Sequence, residues 1–91
     1  MNKVLSFKST NNGGEVTMHA KVDSSTIVFV YWSNIVNKDG AMVITFAGGR
    51  RYRYENVEAN TFSALISADS VGKKFNEIVR GKYDYKLEVV V

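Results

Sequence analysis

With 91 residues, 45% of them hydrophobic and 23% charged, the chain suits one domain of ordinary globular composition, which excludes disordered, collagen-like and coiled-coil classes. The absence of cysteine excludes disulfides, thiolate metal sites and a cysteine nucleophile, and makes the cytoplasm the expected compartment. Twelve Lys and Arg against nine Asp and Glu give a net charge of +3, a bias that permits contact with phosphates.

The start of the chain, through Val4, Phe7 and Lys8, has no sustained apolar run, so no signal peptide is expected. Asn11-Asn12-Gly13-Gly14 tolerates positive φ, and apolar-polar alternation resumes at Val16, Met18, Ala20 and Val22, which predicts an N-terminal hairpin. After Asp23-Ser24-Ser25 the run Ile27–Trp32 is apolar on both faces and predicts a central, well-covered strand. It is far shorter than the ~20 residues of a membrane helix, so no membrane partner is expected. Asn37-Lys38-Asp39-Gly40 signals a turn, Ala41–Phe46 a strand, and Gly48-Gly49 the turn into Arg50 to Glu55, completing an antiparallel meander.

Beyond Asn56 the period changes. Phe62, Leu65 and Ile66, then Phe75, Ile78 and Val79, recur at helical spacing and predict two short helices, the second capped by Asp69 or Ser70 and closed by Gly81. Tyr85, Leu87, Val89 and Val91 alternate as a final strand with one buried face. The fold class is therefore α+β: an antiparallel sheet made of an N-terminal hairpin, a three-stranded meander and a C-terminal strand, with two short helices packed on one face.

From Val22 to Tyr83 this order of signals resembles the KTSC domain, a module that occurs at the C-terminus of some lysyl-tRNA synthetases and as a single-domain protein. The resemblance is carried by Asp23-Ser24-Ser25-Thr26-Ile27, Ile44-Thr45-Phe46-x-Gly48-Gly49, Tyr52-Arg53-Tyr54 and Glu55-Asn56-Val57. It continues through Ala68-x-Ser70-x-Gly72-Lys73-x-Phe75-Asn76 and Ile78-Val79-Arg80-x-x-Tyr83. The chain departs from the family at Glu58, where proline is common, and in running past Tyr83. The resemblance implies one KTSC-like domain over residues 1–91, with the first hairpin and last strand as additions that lengthen the sheet, cover an edge or join two copies in a homodimer. It also implies RNA binding, on the strength of the family's company with a synthetase.

The candidate site centres on Arg50, Arg51 and Arg53, whose guanidinium groups present paired donors to phosphate oxygens. Strand alternation puts Tyr52 and Tyr54 on the face opposite Arg51 and Arg53. Either the tyrosines pack under the helices and the arginines face water, or the tyrosines form a stacking platform without the arginines beside them; the first arrangement is expected. Lys73 and Lys74 near the second helix start, with Arg80 and Lys82 after it, complete a set of phosphate-contacting cations. The ordinary alternative for each of these cations is a solvated surface side chain. Trp32 and Phe75 read as core, and Asn76 as a backbone-bonding group at a helix-strand junction.

One histidine, His19, without acid, nucleophile or metal-ligand spacing around it, gives no catalytic or metal motif, so no enzyme and no cofactor are expected. The sequence thus reads as a non-catalytic binding module for RNA or single-stranded nucleic acid. The alternative is a protein-interaction module, of phage or other mobile-element type, that docks on a host protein and inhibits or redirects it.

Overall fold

The computed structural model describes residues 3–88. Six strands form one antiparallel sheet in chain order: β1 (Lys3–Asn12), β2 (Glu15–Asp23), β3 (Ile27–Ser33), β4 (Ala41–Phe46), β5 (Arg51–Glu55) and β6 (Tyr85–Leu87). Two helices, α1 (Ala59–Ile66) and α2 (Val71–Ile78), lie between β5 and β6 in the chain. The α+β architecture expected from the sequence is the one observed.

Local chemistry explains most of the boundaries. The β1–β2 hairpin closes through Gly13 and Gly14 at φ of 62° and 91°, so both central residues take the positive φ that twists with the flanking strands. At the start of α2 the Ser70 hydroxyl accepts from the Lys73 backbone N–H at 3.3 Å, satisfying one of the helix's orphan donors. The start of α1 has no side-chain cap; there Glu58 is extended at φ of −69°, the value a proline ring imposes. The family's usual proline would therefore fit the backbone that Glu58 adopts.

One face of the sheet meets the helices. Ala20, Val30, Met42 and Ile44 from the strands, with Phe62 and Leu65 from α1, are wholly buried, and Val71, Phe75 and Val79 extend this core. Trp32 joins it at 5% exposure, its indole Nε1–H donating to the Val57 carbonyl at 2.6 Å. That bond ties the end of β3 to the chain entering α1 and satisfies a buried donor and acceptor together.

Two expectations are corrected. The strand β3 is interior to the sheet but covered on one face only: both helices lie on the Val30–Trp32 side, while Phe29 and Tyr31 are half-buried on the other and Val28 is 39% exposed. A register shift between Ile27 and Phe29 lets Ile27 enter the core out of strict alternation. The last strand has no buried face within the described residues, since Tyr85 and Leu87 are 60% and 53% exposed. It pairs with β5 at the sheet's edge, and the eight-residue helices do not extend over it. Residues 89–91, into which the sequence pattern carries that strand, lie outside the described residues.

Candidate nucleic-acid interface

In β5 the alternation separates tyrosines from arginines as expected. Tyr54 is 5% exposed and packs edge-on against Phe75 of α2 with ring centroids 5.9 Å apart, while Tyr52 meets Phe46 at 5.8 Å. The Tyr54 hydroxyl is pushed up from 10.0 to about 12, first by loss of water and then by the neighbouring Tyr85 and Tyr52. Between those values the folded chain keeps a proton that an unfolded tyrosine releases, so stability is intact below pH 10 and falls as pH rises toward 12. Denaturation midpoints are expected to drop across this window by an amount equivalent to about 1 kcal/mol, since solvent that still reaches the hydroxyl screens part of the shift. Tyr54→Phe should reduce that fall, and an equal fall in the variant would remove Tyr54 as its source.

Arg51 and Arg53 occupy the helix-free face, each with an acidic neighbour. Arg53 Nε donates to Glu55 at 2.6 Å, and Arg51 lies 4.0 Å from Glu88. Glu55 also accepts from Asn37 at 2.9 Å, and these donors, Asn37 first, hold its carboxyl below the usual range. The terminal guanidinium nitrogens of Arg53 have no hydrogen-bond partner among the described residues. Arg53 is therefore anchored with its terminal donors left over, whereas Arg51 has its Nε buried without a hydrogen-bond partner among the described residues and meets Glu88 only at the limit of an ion pair.

Cross-strand register brings other side chains into line with them. One row runs Lys8, His19, Tyr31, Val43, Arg53, Lys86 across all six strands. Its neighbour runs Ser6, Lys21, Phe29, Thr45, Arg51, with Glu88 donating its backbone N–H to the Arg51 carbonyl at 2.8 Å. Each row thus has an aromatic ring in β3 and cations on both sides of it, with adjacent strands about 4.8 Å apart. His19 stands beside Phe29 at a centroid distance of 5.6 Å. A hollow of about 280 Å³ opens next to Tyr31 and Arg53.

The cations expected to act together do not share one surface. Arg51 and Arg53 lie on the helix-free face, and Arg50 is exposed in the turn before β5. Lys73 and Lys74 are on α2, on the opposite side, where Lys74 is paired with Glu77 at 3.2 Å. Arg80 and Lys82 are exposed in the segment after α2; Arg80 borders the same hollow as Lys73, while Lys82 borders a separate one with Glu55 and Asp84. Tyr52 and Tyr54 belong to the helix side, so they offer no platform next to the arginines. Sequence reasoning missed Phe29 and Tyr31, with Lys8, Lys21 and Lys86, as the companions of Arg51 and Arg53. Among the described residues no group of three or more His, Asp or Glu is placed to hold a metal ion.

A one-layer antiparallel sheet, roofed by helices on one side and carrying aromatic rings between cations on the other, makes this a small α+β domain with one open sheet face. The KTSC domain family matches residues 36–83, more than half of the 91-residue chain. The chain belongs to the KTSC domain family. A KTSC domain protein from Yersinia pestis has a crystal structure that superposes with a TM-score of 0.67 over 92% of this chain and 100% of its own, at 20% identity. That likeness concerns the fold, and it extends well outside residues 36–83. A protein from Stutzerimonas stutzeri (strain A1501), described only as uncharacterized, is 38% identical over 40 residues, which are 44% of this chain and 56% of its own length. No helix among the described residues is long and apolar enough to cross a membrane.

Proposed function

We propose that the protein is a non-catalytic module that binds RNA or other single-stranded nucleic acid across the helix-free face of its sheet. The observation that carries this reading is the pair of cross-strand rows in which Tyr31 and Phe29 stand between cations on both sides. Unpaired bases stack on the two rings, and phosphates reach Lys8 and Lys21 on one flank and Arg51, Arg53 and Lys86 on the other. Base edges meet few fixed donors or acceptors on this face, so binding is tolerant of sequence.

A salt titration of RNA binding tests it. Low ionic strength should give retention, with log affinity falling linearly in log salt. The pair Lys21→Gln and Lys86→Gln, both exposed and harmless to the core, is expected to reduce that slope by about 1.4, or ~0.7 for each phosphate no longer neutralised. No retention of RNA or single-stranded DNA by micromolar protein at low salt would end the proposal. That outcome would favour protein docking instead, for which the specific observation is the exposed Ile35 and Val36, 48% and 84% accessible, at the rim of the same face.

A further inference from the structure

On the opposite side of the sheet two hollows, of about 460 and 440 Å³, meet at Phe46, Phe75 and Arg80 to form one groove between α2 and the ends of β4, β5 and β6. Each is within the ~300–1,000 Å³ of small-molecule sites. Their linings differ in chemistry. The first has Ser24, Ser70, Lys73, Asn76 and Arg80; the second has the rings of Tyr52, Tyr54 and Tyr85. No Asp or Glu lines either one.

The first hollow is a cradle of donors. Ser24 Oγ already accepts from the backbone N–H groups of Thr26 and Ile27 at 3.2 and 3.4 Å, and Ser70 Oγ from that of Lys73 at 3.3 Å. With those lone pairs engaged, both hydroxyl protons are left to donate. Asn76 Oδ1 accepts from Arg80 Nη1 at 3.5 Å, which turns its amide N–H₂ into a free donor. Lys73 and Arg80 have no carboxylate within 4.0 Å among the described residues, unlike Arg51, Arg53 and Lys74. Gly72 keeps the wall low: a Cβ there would sit 3.4 Å from Thr26 Oγ1, and any longer side chain would enter the hollow. So many donors without a carboxylate among them ask for a ligand group rich in acceptor oxygens, which a phosphate monoester supplies better than a carboxylate.

The second hollow asks for something flat. Tyr52 meets Tyr85 edge to face at 5.6 Å and Phe46 at 5.8 Å, Tyr85 also leans on Tyr54 at 5.6 Å, and Tyr85 is 60% exposed, so its outer ring surface is open to a further ring. Since the two hollows share the Phe46–Phe75–Arg80 boundary and their other lining residues differ, a flat ring in one and a phosphate in the other call for a spacer between them. A ribose is such a spacer. We propose that this groove binds a nucleoside monophosphate, with its phosphate among Ser24, Ser70, Lys73 and Arg80 and its base on the Tyr52–Tyr85 rings. The site is on the face of the sheet opposite the nucleic-acid rows, so it stands or falls independently of them.

Titration calorimetry of the full chain with adenosine 5′-monophosphate, adenosine, inorganic phosphate and O-phosphotyrosine tests it. The monophosphate is expected to bind about tenfold or more tightly than either adenosine or phosphate alone, because each lacks one half of the site. Lys73→Gln, at an exposed position lining only the phosphate hollow, should weaken the monophosphate by about tenfold and leave adenosine unchanged; Arg80→Gln, at the junction of the two hollows, should weaken the monophosphate at least as much, while Lys38→Gln in the β3–β4 connection alters neither. The proposal is overturned if no probe binds at millimolar concentration, if adenosine binds as well as its monophosphate, if both glutamine variants bind like the parent, or if O-phosphotyrosine, with no spacer, binds most tightly.

Discussion

Replacing Gly40 by alanine is expected to cost more than about 3 kcal/mol and to shift the emission of Trp32, the chain's single tryptophan, to the red. Gly40 is at φ of 101°, a conformation that L side chains rarely adopt, and a Cβ there would lie 2.7 Å from Trp32 Cζ2 and against the Val57 carbonyl oxygen. Those are the two partners of the buried indole bond, and the Gly40 backbone itself accepts from Val57 N–H at 3.0 Å. The added methyl cannot be admitted without parting Trp32 from Val57, which strands a buried donor and a buried acceptor. Gly48 is the matched control, because it has the same φ of 101° and a Cβ on it would have no atom within 4 Å. Gly48→Ala is expected to cost about 1 kcal/mol through backbone strain alone. Equal denaturation midpoints for the two variants would show that the Trp32–Val57 clamp contributes nothing.

Loss of both rings from the helix-free face is expected to weaken RNA binding by at least about thirtyfold, because stacking on an aromatic is worth ~1–3 kcal/mol per base. Phe29→Ala with Tyr31→Ala removes the aromatic member of each cross-strand row while every cation stays in place. Affinity should therefore fall at every salt concentration with the slope unchanged, the reverse of the signature of the lysine variants. Both rings are half-buried outside the main core, so the variant should keep its fold, as circular dichroism can verify. The milder pair Phe29→Leu with Tyr31→Leu retains apolar cover and should also lose affinity. Parent-like binding by a folded double variant would remove the stacking platform from the mechanism.

How much of the molecule is legible in its sequence depends on the range over which each feature is specified. The Gly13-Gly14 hairpin, the Ser70 cap and the opposed faces of Tyr52-Arg53-Tyr54 are properties of a few consecutive residues, and the chain spells them out. Which aromatics accompany the arginines is set by register through β4, where Val43 faces Tyr31 on one side and Arg53 on the other. No local pattern carries that pairing, and the two-sided apolar run in β3 suggests two covered faces where the fold supplies one. The exposure of Tyr85 and Leu87 is hidden for a related reason. Alternation identifies the residues that share a face but not whether a helix reaches far enough to cover it. The groove is the most distributed feature, since Ser24, Phe46, Tyr52, Ser70 and Arg80 come from five separate segments. All five are nevertheless among the residues that carry the family resemblance, although Ser24 lies outside the matched residues 36–83 and Tyr85, which completes the ring-lined half, lies beyond the resemblance altogether.

Because the strand order of the sheet follows the order of the chain, every ladder from β1 to β5 can zip up from a nearby turn, with little loop entropy lost before the strands meet. Only the β5–β6 ladder must wait for both helices to be threaded between its partners. The first five strands are thus built to assemble quickly as successive hairpins, and β6 to dock late and detach first. Among the described strands, the rim that completes the ring-lined groove is then the one whose hydrogen-bonded amide protons should exchange fastest.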